Sequence, residues 1–456
     1  MLRAISFVLL IGCLSSCSKE DAIIIIADED VNLGGATSIS GSFIQIFQQP
    51  SPNLNTEELE FHRASDRAFG DIFVTAPSEV NGGLGPVYNQ NACESCHTSN
   101  GRSPFPLDPN NLRGLLLRIS MPGKGVNGEP LSVPHFGGQL QNKALFNISP
   151  EGKISWMEHI ETVKYADGEE ITLTKPIFSI TDTYVNLPSN ILISPRIAPP
   201  VIGLGLLEAI NEADIEALAD IVDANNDGIS GKPNKVWNYK ESALTLGRFG
   251  WKAGQPTLLQ QTAAAYNQDM GVTSSYFPIE SSYGQDQADG QEDDPEIDDI
   301  TLKAATFYPQ SLAVPRRRNV DDAVVNAGKK LFKILNCHGC HNPMFVTGQH
   351  EEYNFLSGQT IYPYTDLLLH DMGDGLADGR SEFDADGREW RTPPLWGLGL
   401  AKSVGGQNAN YLHDGRAKTL EEAILWHGGE AEVSKNTFKT LSKNDRVAVV
   451  KFLESL

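Results

Sequence analysis

Two copies of the pattern Cys-x-x-Cys-His are the residues of this chain best suited to chemistry. They are Cys93-Glu94-Ser95-Cys96-His97 and Cys337-His338-Gly339-Cys340-His341. In each copy the two thiols can add to the vinyl groups of a haem, and the adjacent histidine can bind its iron. The alternatives are a zinc site built from the four thiolates, or a redox Cys-x-x-Cys, which would need a strand-helix-strand context that neither copy has. The histidine after both pairs favours two covalently bound haem c groups.

The other two cysteines, Cys13 and Cys17, lie in a segment with the features of a secretory leader. The segment starts with a positive charge at Arg3 and continues with an apolar run, Phe7-Val8-Leu9-Leu10-Ile11, that is too short to span a bilayer. Leu14-Ser15-Ser16-Cys17 resembles a bacterial lipoprotein box. It predicts cleavage before Cys17 and lipidation of its thiol, with plain secretion as the alternative. We therefore expect a lipid-anchored protein on the periplasmic side of the outer membrane, or on the cell surface, of a Gram-negative-type bacterium.

Length and charge limit the classes of partner. The 456 residues suffice for two or three domains, and the formal net charge is −22 at pH 7. A chain this acidic lacks the basic face that phosphate binding needs, so nucleic acid is not an expected partner. An acidic surface fits a redox partner protein of opposite charge. Because no segment after the leader is long and apolar enough to cross a bilayer, the expected membrane contact is the lipid anchor.

The apolar spacing predicts which elements position the haem motifs. Helices are expected at residues 57–73, 213–222 and 321–335, and from Ser442 onward, with Gly328 allowing a close helix crossing. Alternation such as Ile171-Thr172-Leu173-Thr174 predicts strands. We predict a mainly α fold with two cytochrome c-like haem domains and a small β insertion in the N-terminal one. The predicted divisions are a signal peptide at 1–17, a tether and extension at 18–56, an N-terminal haem domain at 57–310 with its insertion at about 115–195, and a C-terminal cytochrome c domain at 311–456.

A short internal repeat supports two related haem regions. Pro199-Pro200-Val201-Ile202-Gly203-Leu204-Gly205-Leu206 matches Pro393-Pro394-Leu395-Trp396-Gly397-Leu398-Gly399-Leu400 in the spacing of proline, glycine and leucine. Each copy follows one haem motif. Duplication of a haem domain explains both facts, and chance matching of proline and glycine turns is the alternative.

With the segment Tyr411-Leu412-His413-Asp414-Gly415-Arg416, these motifs resemble the bacterial di-haem oxidoreductase family, which is labelled as a peroxidase or thiol oxidoreductase. Further segments that carry the resemblance are Ser194-Pro195-Arg196, residues 247–252, residues 364–373 and residues 426–430. The resemblance covers roughly residues 66–456. The family is similar to the di-haem cytochrome c peroxidases and to the enzyme that matures methylamine dehydrogenase.

The resemblance implies axial ligands for both haem irons. His97 would be the proximal ligand of the N-terminal haem and His341 that of the C-terminal haem. In the peroxidases an axial methionine follows the His-x-Gly element by a fixed interval, and here that interval runs from His413 to His427. We therefore predict ligation by His341 and His427, with Met372 as the second choice and an ordinary hydrogen-bonded histidine as the alternative. Imidazole in place of the thioether would lower the reduction potential.

The resemblance also implies a distal side at the N-terminal haem. Phe249-Gly250-Trp251 is the nearest match to the family's Phe-Trp element, and Gln261 follows the tryptophan by the family's interval of ten residues. An acid occurs at Asp269, two residues earlier than the family pattern asks, and it is aspartate rather than glutamate. Trp251 is then a candidate electron bridge, and Gln261 and Asp269 are candidate distal groups. The alternatives are a tryptophan and a glutamine that serve only packing and a turn.

A calcium site is a further candidate. Its oxygens would come from Asp223, Asn225 and Asp227 and from the backbone carbonyl of Ile229, in the order of an EF-hand loop with glycine at position six. Position twelve is Asn234 rather than the bidentate glutamate, so Ser230 or a later side chain would have to complete the shell. A turn rich in Asx caps is the alternative.

Together these features predict a di-haem c-type redox protein. The leading hypothesis is a peroxidase-like oxidoreductase that reacts, with hydrogen peroxide as the candidate substrate, at the N-terminal haem and relays electrons through the C-terminal haem. The alternative from another class is a non-catalytic periplasmic electron-transfer cytochrome, with both irons six-coordinate. A third hypothesis, oxidation of thiols or iron, follows from the family label alone.

Overall fold

A computed structural model describes residues 29–41, 43–290 and 294–456 of the protein. The predicted leader and the lipidation site Cys17 lie outside the described residues. The α-helices of the described residues are α1 Thr56–Gly70, α2 Cys93–Cys96, α3 Leu204–Glu208, α4 Glu212–Glu216, α5 Leu258–Ala265, α6 Asp299–Gln310, α7 Ala323–Ile334, α8 Gly373–Leu376, α9 Ala401–Gly405, α10 Leu420–Trp426, α11 Glu432–Thr440 and α12 Lys443–Ser455. A π-helix, Tyr266–Met270, continues α5. No helix in these ranges is long and apolar enough to cross a membrane.

Strands are more numerous than the sequence predicted, and most of them are short. They are β1 Ser38–Ile39, β2 Val87–Tyr88, β3 Leu115–Lys124, β4 Pro130–Leu131, β5 Lys143–Ala144, β6 Lys153–Lys164, β7 Glu170–Thr181, β8 Leu192–Ile197, β9 Lys235–Asn238, β10 Ala243–Leu246, β11 Val314–Pro315, β12 Phe345–Val346, β13 Thr360–Ile361, β14 Leu369–Asp371 and β15 Glu389–Arg391. The sheets of the described residues have two strands each, apart from the three-stranded sheet β4-β3-β8.

The prediction of a mainly α fold with cytochrome c-like helical domains is wrong. The part of the chain that the structure describes is 30% helical and 20% strand, with many small sheets. The error has a physical cause, because several strands have only two or three residues, such as the pair β14 and β15. Alternation needs at least four residues to be visible in a sequence, and 42 glycines and 26 prolines break the chain into such short pieces.

The region between the first haem motif and α3 contains the longest strands. Strand β3 pairs antiparallel with β8, and β6 pairs with β7 over twelve residues each. Along β3, side chains alternate between two faces. Leu115, Leu117 and Ile119 are buried in a local apolar cluster, whereas Leu116 and Arg118 point into a cavity beside the first haem motif. The domain boundaries inferred from the sequence remain a prediction.

The tip of the β6–β7 hairpin is fixed to the C-terminal helices. Arg446 of α12 donates to Asp167 at 2.9 Å and to Glu169 at 2.6 Å, and its guanidinium lies 3.9 Å from the ring centroid of Tyr165. The Tyr165 hydroxyl donates to Glu421 at 2.7 Å. The β6–β7 hairpin, whose base packs against β3 at Ile154, therefore ends on the helices that follow the second haem motif.

Helices α7 and α12 cross closely at Gly328. Asp322 caps the start of α7, and Ser442 caps the start of α12. A Cβ at Gly328 would overlap the backbone of Ala448, so only glycine permits this approach. The rings of Phe332 and Phe452 pack 5.3 Å apart beside the crossing. The apolar face formed there supports the second haem motif, which follows α7 directly.

Candidate active site and haem attachment residues

The first haem motif forms one helical turn, α2, and His97 ends it. The Nδ1 atom of His97 lies 2.8 Å from the carbonyl oxygen of Pro199. A carbonyl can only accept, so Nδ1 carries the proton and Nε2 keeps its lone pair. Burial lowers the pKa of His97, which keeps the ring neutral. A neutral imidazole whose second nitrogen donates to a backbone carbonyl has the form of an iron ligand.

The motif opens onto a cavity of about 500 Å³. The thiols of Cys93 and Cys96 and the imidazole of His97 line it, so these three groups face one common space. Burial raises the pKa of both thiols, and that of Cys93 reaches about 12. The thiols therefore stay protonated at neutral pH. A cavity lined by two thiols and by a histidine with a free Nε2 fits a haem attached at this motif.

The predicted electron bridge and the two predicted distal groups line the same cavity. They are Trp251, Gln261 and Asp269. The indole nitrogen of Trp251 donates to the carbonyl of Ile197 at 2.9 Å, and the Arg102 guanidinium lies 5.2 Å from its ring centroid. These contacts fix the ring plane of a side chain that is only 7% exposed. The sequence positions predicted for a distal side therefore converge in space around the first haem motif.

Asp269 is held beside the haem motif by its backbone and by its side chain. It lies in the π-helix, a distortion that often occurs at functional sites. Its carbonyl accepts from the backbone amides of Asn89 and Gln90, just before the first Cys-x-x-Cys-His. Its carboxylate accepts from Gln139 at 2.7 Å. Burial raises the pKa of Asp269, and the charge of Arg118 and the bond from Gln139 oppose that shift.

The sequence analysis missed a cluster of cations on another wall of this cavity. Arg118, Arg196 and Arg380 line the space, and Glu382 lies among them. Glu382 accepts from Arg196 at 3.0 Å and from Arg380 at 2.7 Å. Burial opposes its ionisation, yet the surrounding cations, which include Lys252, lower the pKa of Glu382 to about 2. Alternation along β3 and β8 was the one sequence signal that could have placed Arg118 and Arg196 on a shared face.

The second haem motif has a corresponding arrangement of histidines. The Nδ1 atom of His341 donates to the carbonyl of Tyr364 at 2.9 Å, and burial lowers its pKa to about 4. The Nδ1 atom of His427 donates to the carbonyl of Ala423 at 2.7 Å, and burial lowers its pKa as well. The charge of His427 also contributes to the lowered pKa of His341, although burial is the main cause. Each ring keeps Nε2 for a ligand.

Met372, the second choice for the axial position, lies at the N-cap of α8 and packs partly buried against the main core. Its backbone amide donates to the carbonyl of Arg388 at 3.1 Å. The assignment of His427, rather than Met372, as the axial ligand therefore stays a prediction.

The two copies of the internal repeat pack against each other. Gly203 and Gly397 both adopt a left-handed backbone, with φ of 70° and 72°, and each starts a helical turn. A Cβ at Gly203 would overlap the ring of Trp396, and a Cβ at Gly397 would lie 2.9 Å from Ile202. Ile202 and Trp396 occupy the same position in the two copies, so the contacts are reciprocal. Such reciprocity is typical of a twofold interface, and it joins the regions of the two haem motifs.

The candidate calcium loop folds as a series of Asx turns. The carboxylate of Asp223 accepts from the amide of Asp227 at 2.9 Å, and that of Asp227 accepts from the amide of Ile229 at 2.9 Å; the side-chain oxygen of Asn225 also bonds the Asp227 amide. Asn234, at position twelve, is buried and donates to the carbonyl of Lys252. The Ser230 hydroxyl donates to Glu430 at 3.0 Å. Calcium binding therefore stays a prediction, and these contacts do not identify the side chain that would complete its ligand shell.

Among solved structures, the hydrazine synthase of Kuenenia stuttgartiensis, pressurised with 20 bar xenon, is similar with a TM-score of 0.37 and 12% identity over 100% of both chains. A similarity this low shows neither the fold nor the function of the chain. No curated protein sequence matches it. A family model matches residues 28–456, which confirms the resemblance inferred from the haem motifs, and the chain therefore belongs to the family described as "Di-haem oxidoreductase, putative peroxidase".

Proposed function

We propose that this di-haem oxidoreductase reduces a peroxide, with hydrogen peroxide as the candidate, at its N-terminal haem. Electrons would come from a redox partner protein through the C-terminal haem. One observation carries the proposal, which is that Asp269 and Gln261 line the same cavity as Cys93, Cys96 and His97. A pure electron carrier has no need for a buried carboxyl group beside an iron site.

Because the chain belongs to a di-haem family, its expected cofactor is haem. We propose thioether attachment at Cys93 and Cys96 and at Cys337 and Cys340, with His97 and His341 as proximal ligands and His427 as the second ligand of the C-terminal haem. When bound, the haem irons supply the redox chemistry that amino acid side chains lack. Acid acetone should leave the pigment on the chain if both attachments are covalent.

Asp269 would move the proton of the peroxide. In the overall reaction the O–O bond breaks and each oxygen leaves as water. The electrons come from the reduced partner protein and the protons from solvent. A carboxylate can accept the proton of the inner oxygen and deliver it to the outer one. The raised pKa of Asp269 suits both steps, because a group that titrates nearer neutral pH can take a proton and release it again.

The packing of the repeat suggests a route for electrons between the haem regions. His97 bonds the carbonyl of Pro199, and the segment that starts there contacts Trp396 at Gly203. The residue before Trp396 is Leu395, whose amide donates to the carbonyl of Pro363 at 2.8 Å. The next residue, Tyr364, accepts from His341. This series of bonds and contacts joins both proximal histidines, and Trp396 is its central aromatic ring.

Trp396→Phe is therefore expected to slow electron transfer between the two haems more than Trp251→Phe does. Trp396 lies on the series of contacts between His97 and His341, whereas Trp251 bonds Ile197 at the wall of the cavity. Both variants keep an aromatic ring, so they form a matched pair. Transfer can be followed optically after rapid reduction of the C-terminal haem. Slower transfer in Trp251→Phe alone would instead assign the bridge to Trp251, as the family resemblance implies.

Peroxide titration of the half-reduced protein, followed by optical and EPR spectra, tests the proposed function. We expect stoichiometric consumption of peroxide and a high-spin signal from the N-terminal haem before its addition. Rapid electron exchange with a partner, without a high-spin haem or peroxide consumption, would instead establish the non-catalytic cytochrome. A lipid anchor at Cys17, a location outside the cytoplasm and calcium at residues 223–229 remain parts of the proposal that call for separate tests.

A further inference from the structure

His370 is a buried histidine that the proposed reaction does not use. It lies in β14 and is 2% exposed. Its Nε2 atom is 2.8 Å from a carboxylate oxygen of Asp366, and its Nδ1 atom is 2.7 Å from one of Glu430. Because an ionised carboxylate only accepts, both ring nitrogens must donate, and the ring is an imidazolium. Burial alone would lower the pKa of His370, but the hydrogen bonds to its neighbours raise it well above its usual value.

This cation lies against the second haem motif. Its Nδ1 atom is 3.5 Å from the Sγ atom of Cys340, one of the two thiols of that motif. A Cβ at Gly231 would lie 2.6 Å from the Cε1 atom of His370, so the Gly231 backbone packs directly against the ring. The charge of His370 therefore has a fixed position beside the atom through which the C-terminal haem would be attached.

Glu430 connects this cation to three segments of the chain. It accepts from His370, from the backbone amide of Asp371 at 3.0 Å, and from both the amide and the hydroxyl of Ser230 at 2.9 and 3.0 Å. It also follows His427, the proposed axial ligand, by three residues. The two segments that carry His370 and Glu430 are among those that resemble the family, yet neither residue has a role in the proposed reaction.

The signs of the charges indicate what the cluster does. Asp366 and Glu430 are acids, His370 is a cation, and the buried Arg391 acts on Asp366 through its charge. The four charges balance. Without the imidazolium, an excess of buried negative charge would remain beside Cys340. Because reduction adds an electron to a haem, that excess would disfavour reduction, and the strength of such an effect is large in an interior of low dielectric constant.

We propose that the His370 imidazolium, held by Asp366 and Glu430 against Cys340, is a positioning residue that raises the reduction potential of the C-terminal haem. The inference rests on the proposed attachment of that haem at Cys340 but not on peroxide chemistry. It would keep the C-terminal haem reducible by a partner protein even with two imidazole ligands, which alone lower the potential relative to methionine ligation.

Two substitutions of opposite charge test this role. His370→Asn removes the cation and is expected to lower the potential of the C-terminal haem, with a loss of at least about tenfold in the equilibrium constant for reduction, or about 59 mV for one electron. Glu430→Gln removes one negative charge with little change in shape, and is expected to raise the potential by a similar factor. Potentials are read from an optical redox titration of the complete protein, with EPR spectra to confirm that the axial ligands are unchanged.

Glu454→Gln is the matched control, because Glu454 lies at the surface of α12 and pairs there with Lys451. Its potential should equal that of the unaltered protein. A purely structural role for the cluster would shift the potential in the same direction in both His370→Asn and Glu430→Gln, and would overturn the inference. No shift in either variant would do the same. If His370→Asn does not fold, the sign of the Glu430→Gln shift still decides. If the unaltered protein does not reduce peroxide but the two variants still shift the potential as expected, the proposed function is rejected and this inference stands.

Discussion

Asp269→Asn is expected to lower the rate of peroxide reduction by about 10²–10⁴-fold, the range for loss of a positioned proton-transfer group. Asparagine has the shape of aspartate and can still accept the bond from Gln139, so the cavity should keep its structure. It cannot take a proton from peroxide and return it. The measurement is the steady-state rate with a reduced donor, together with the optical spectrum to show that both haems remain in place.

The pH dependence of the same variant gives a second readout. Burial raises the pKa of Asp269 above 3.8, its ordinary value. As the pH falls through this raised pKa, the carboxylate gains a proton and can no longer act as a base. The rate should therefore fall on the acid side at a pH above the ordinary range of aspartate. In Asp269→Asn this acid limb should be absent, because no carboxylate remains to titrate.

Asp71→Asn is the matched control for this experiment. The charge of Asp71 acts on Cys93, as that of Asp269 does, but Asp71 is not among the residues that line the cavity. Its substitution removes a nearby negative charge without removing the candidate base, so the rate should change little. Equal losses in both variants would mean that negative charge near Cys93, and not proton transfer by Asp269, accounts for the effect.

The candidate haem attachment residues could be identified from the sequence because they occupy nearly consecutive positions. The cysteine pairs and their histidines need a fixed local spacing, and one helical turn satisfies it at Cys93–Cys96. Asp269 was harder to identify, because the family pattern places an acid two residues after this position. The π-helix widens the turn just before Gly271, and a local change of helical period is not visible in the sequence.

Long-range contacts explain most of what the sequence left undetermined. His370 and Glu430 are 60 residues apart, and no local sequence pattern predicts their contact. The contact between Gly203 and Trp396 likewise depends on how the two repeats pack, although the repeat itself was visible. The prediction of the fold class was wrong for a related reason. Strands of two or three residues gain their stability from partners elsewhere in the chain, so their own residues carry little signal.

Glu382→Gln is expected to lower the free energy of unfolding by about 3–5 kcal/mol at pH 7, the typical cost of removing one partner from a buried ion pair. The Glu382 carboxylate accepts from Arg196 and Arg380, and Arg118 and Lys252 also act on it. Glutamine would leave the buried guanidinium groups of Arg196 and Arg380 without the anion that they share. The measurement is urea unfolding of both proteins, monitored by circular dichroism.

The difference in unfolding free energy between the unaltered protein and Glu382→Gln should become smaller as the pH falls. The folded protein holds the pKa of Glu382 at about 2, below its ordinary value of 4.5. A carboxylate with a lowered pKa stabilises the fold fully above the ordinary value, and that contribution is lost as the pH falls toward the folded value. The gap in unfolding free energy between the unaltered protein and Glu382→Gln should therefore be constant above about pH 5 and should narrow between about pH 4.5 and pH 2.

Glu129→Gln is a suitable control, because Glu129 lines the same cavity and bonds a backbone amide in its own turn. Its unfolding free energy should stay within about 0.5 kcal/mol of the unaltered protein. If Glu382→Gln proves as stable as this control at pH 7, the arginines of the cavity wall do not depend on Glu382 for compensation. Their charges would then be available to a bound anionic group, and the haem carboxylates would be the first candidates to examine.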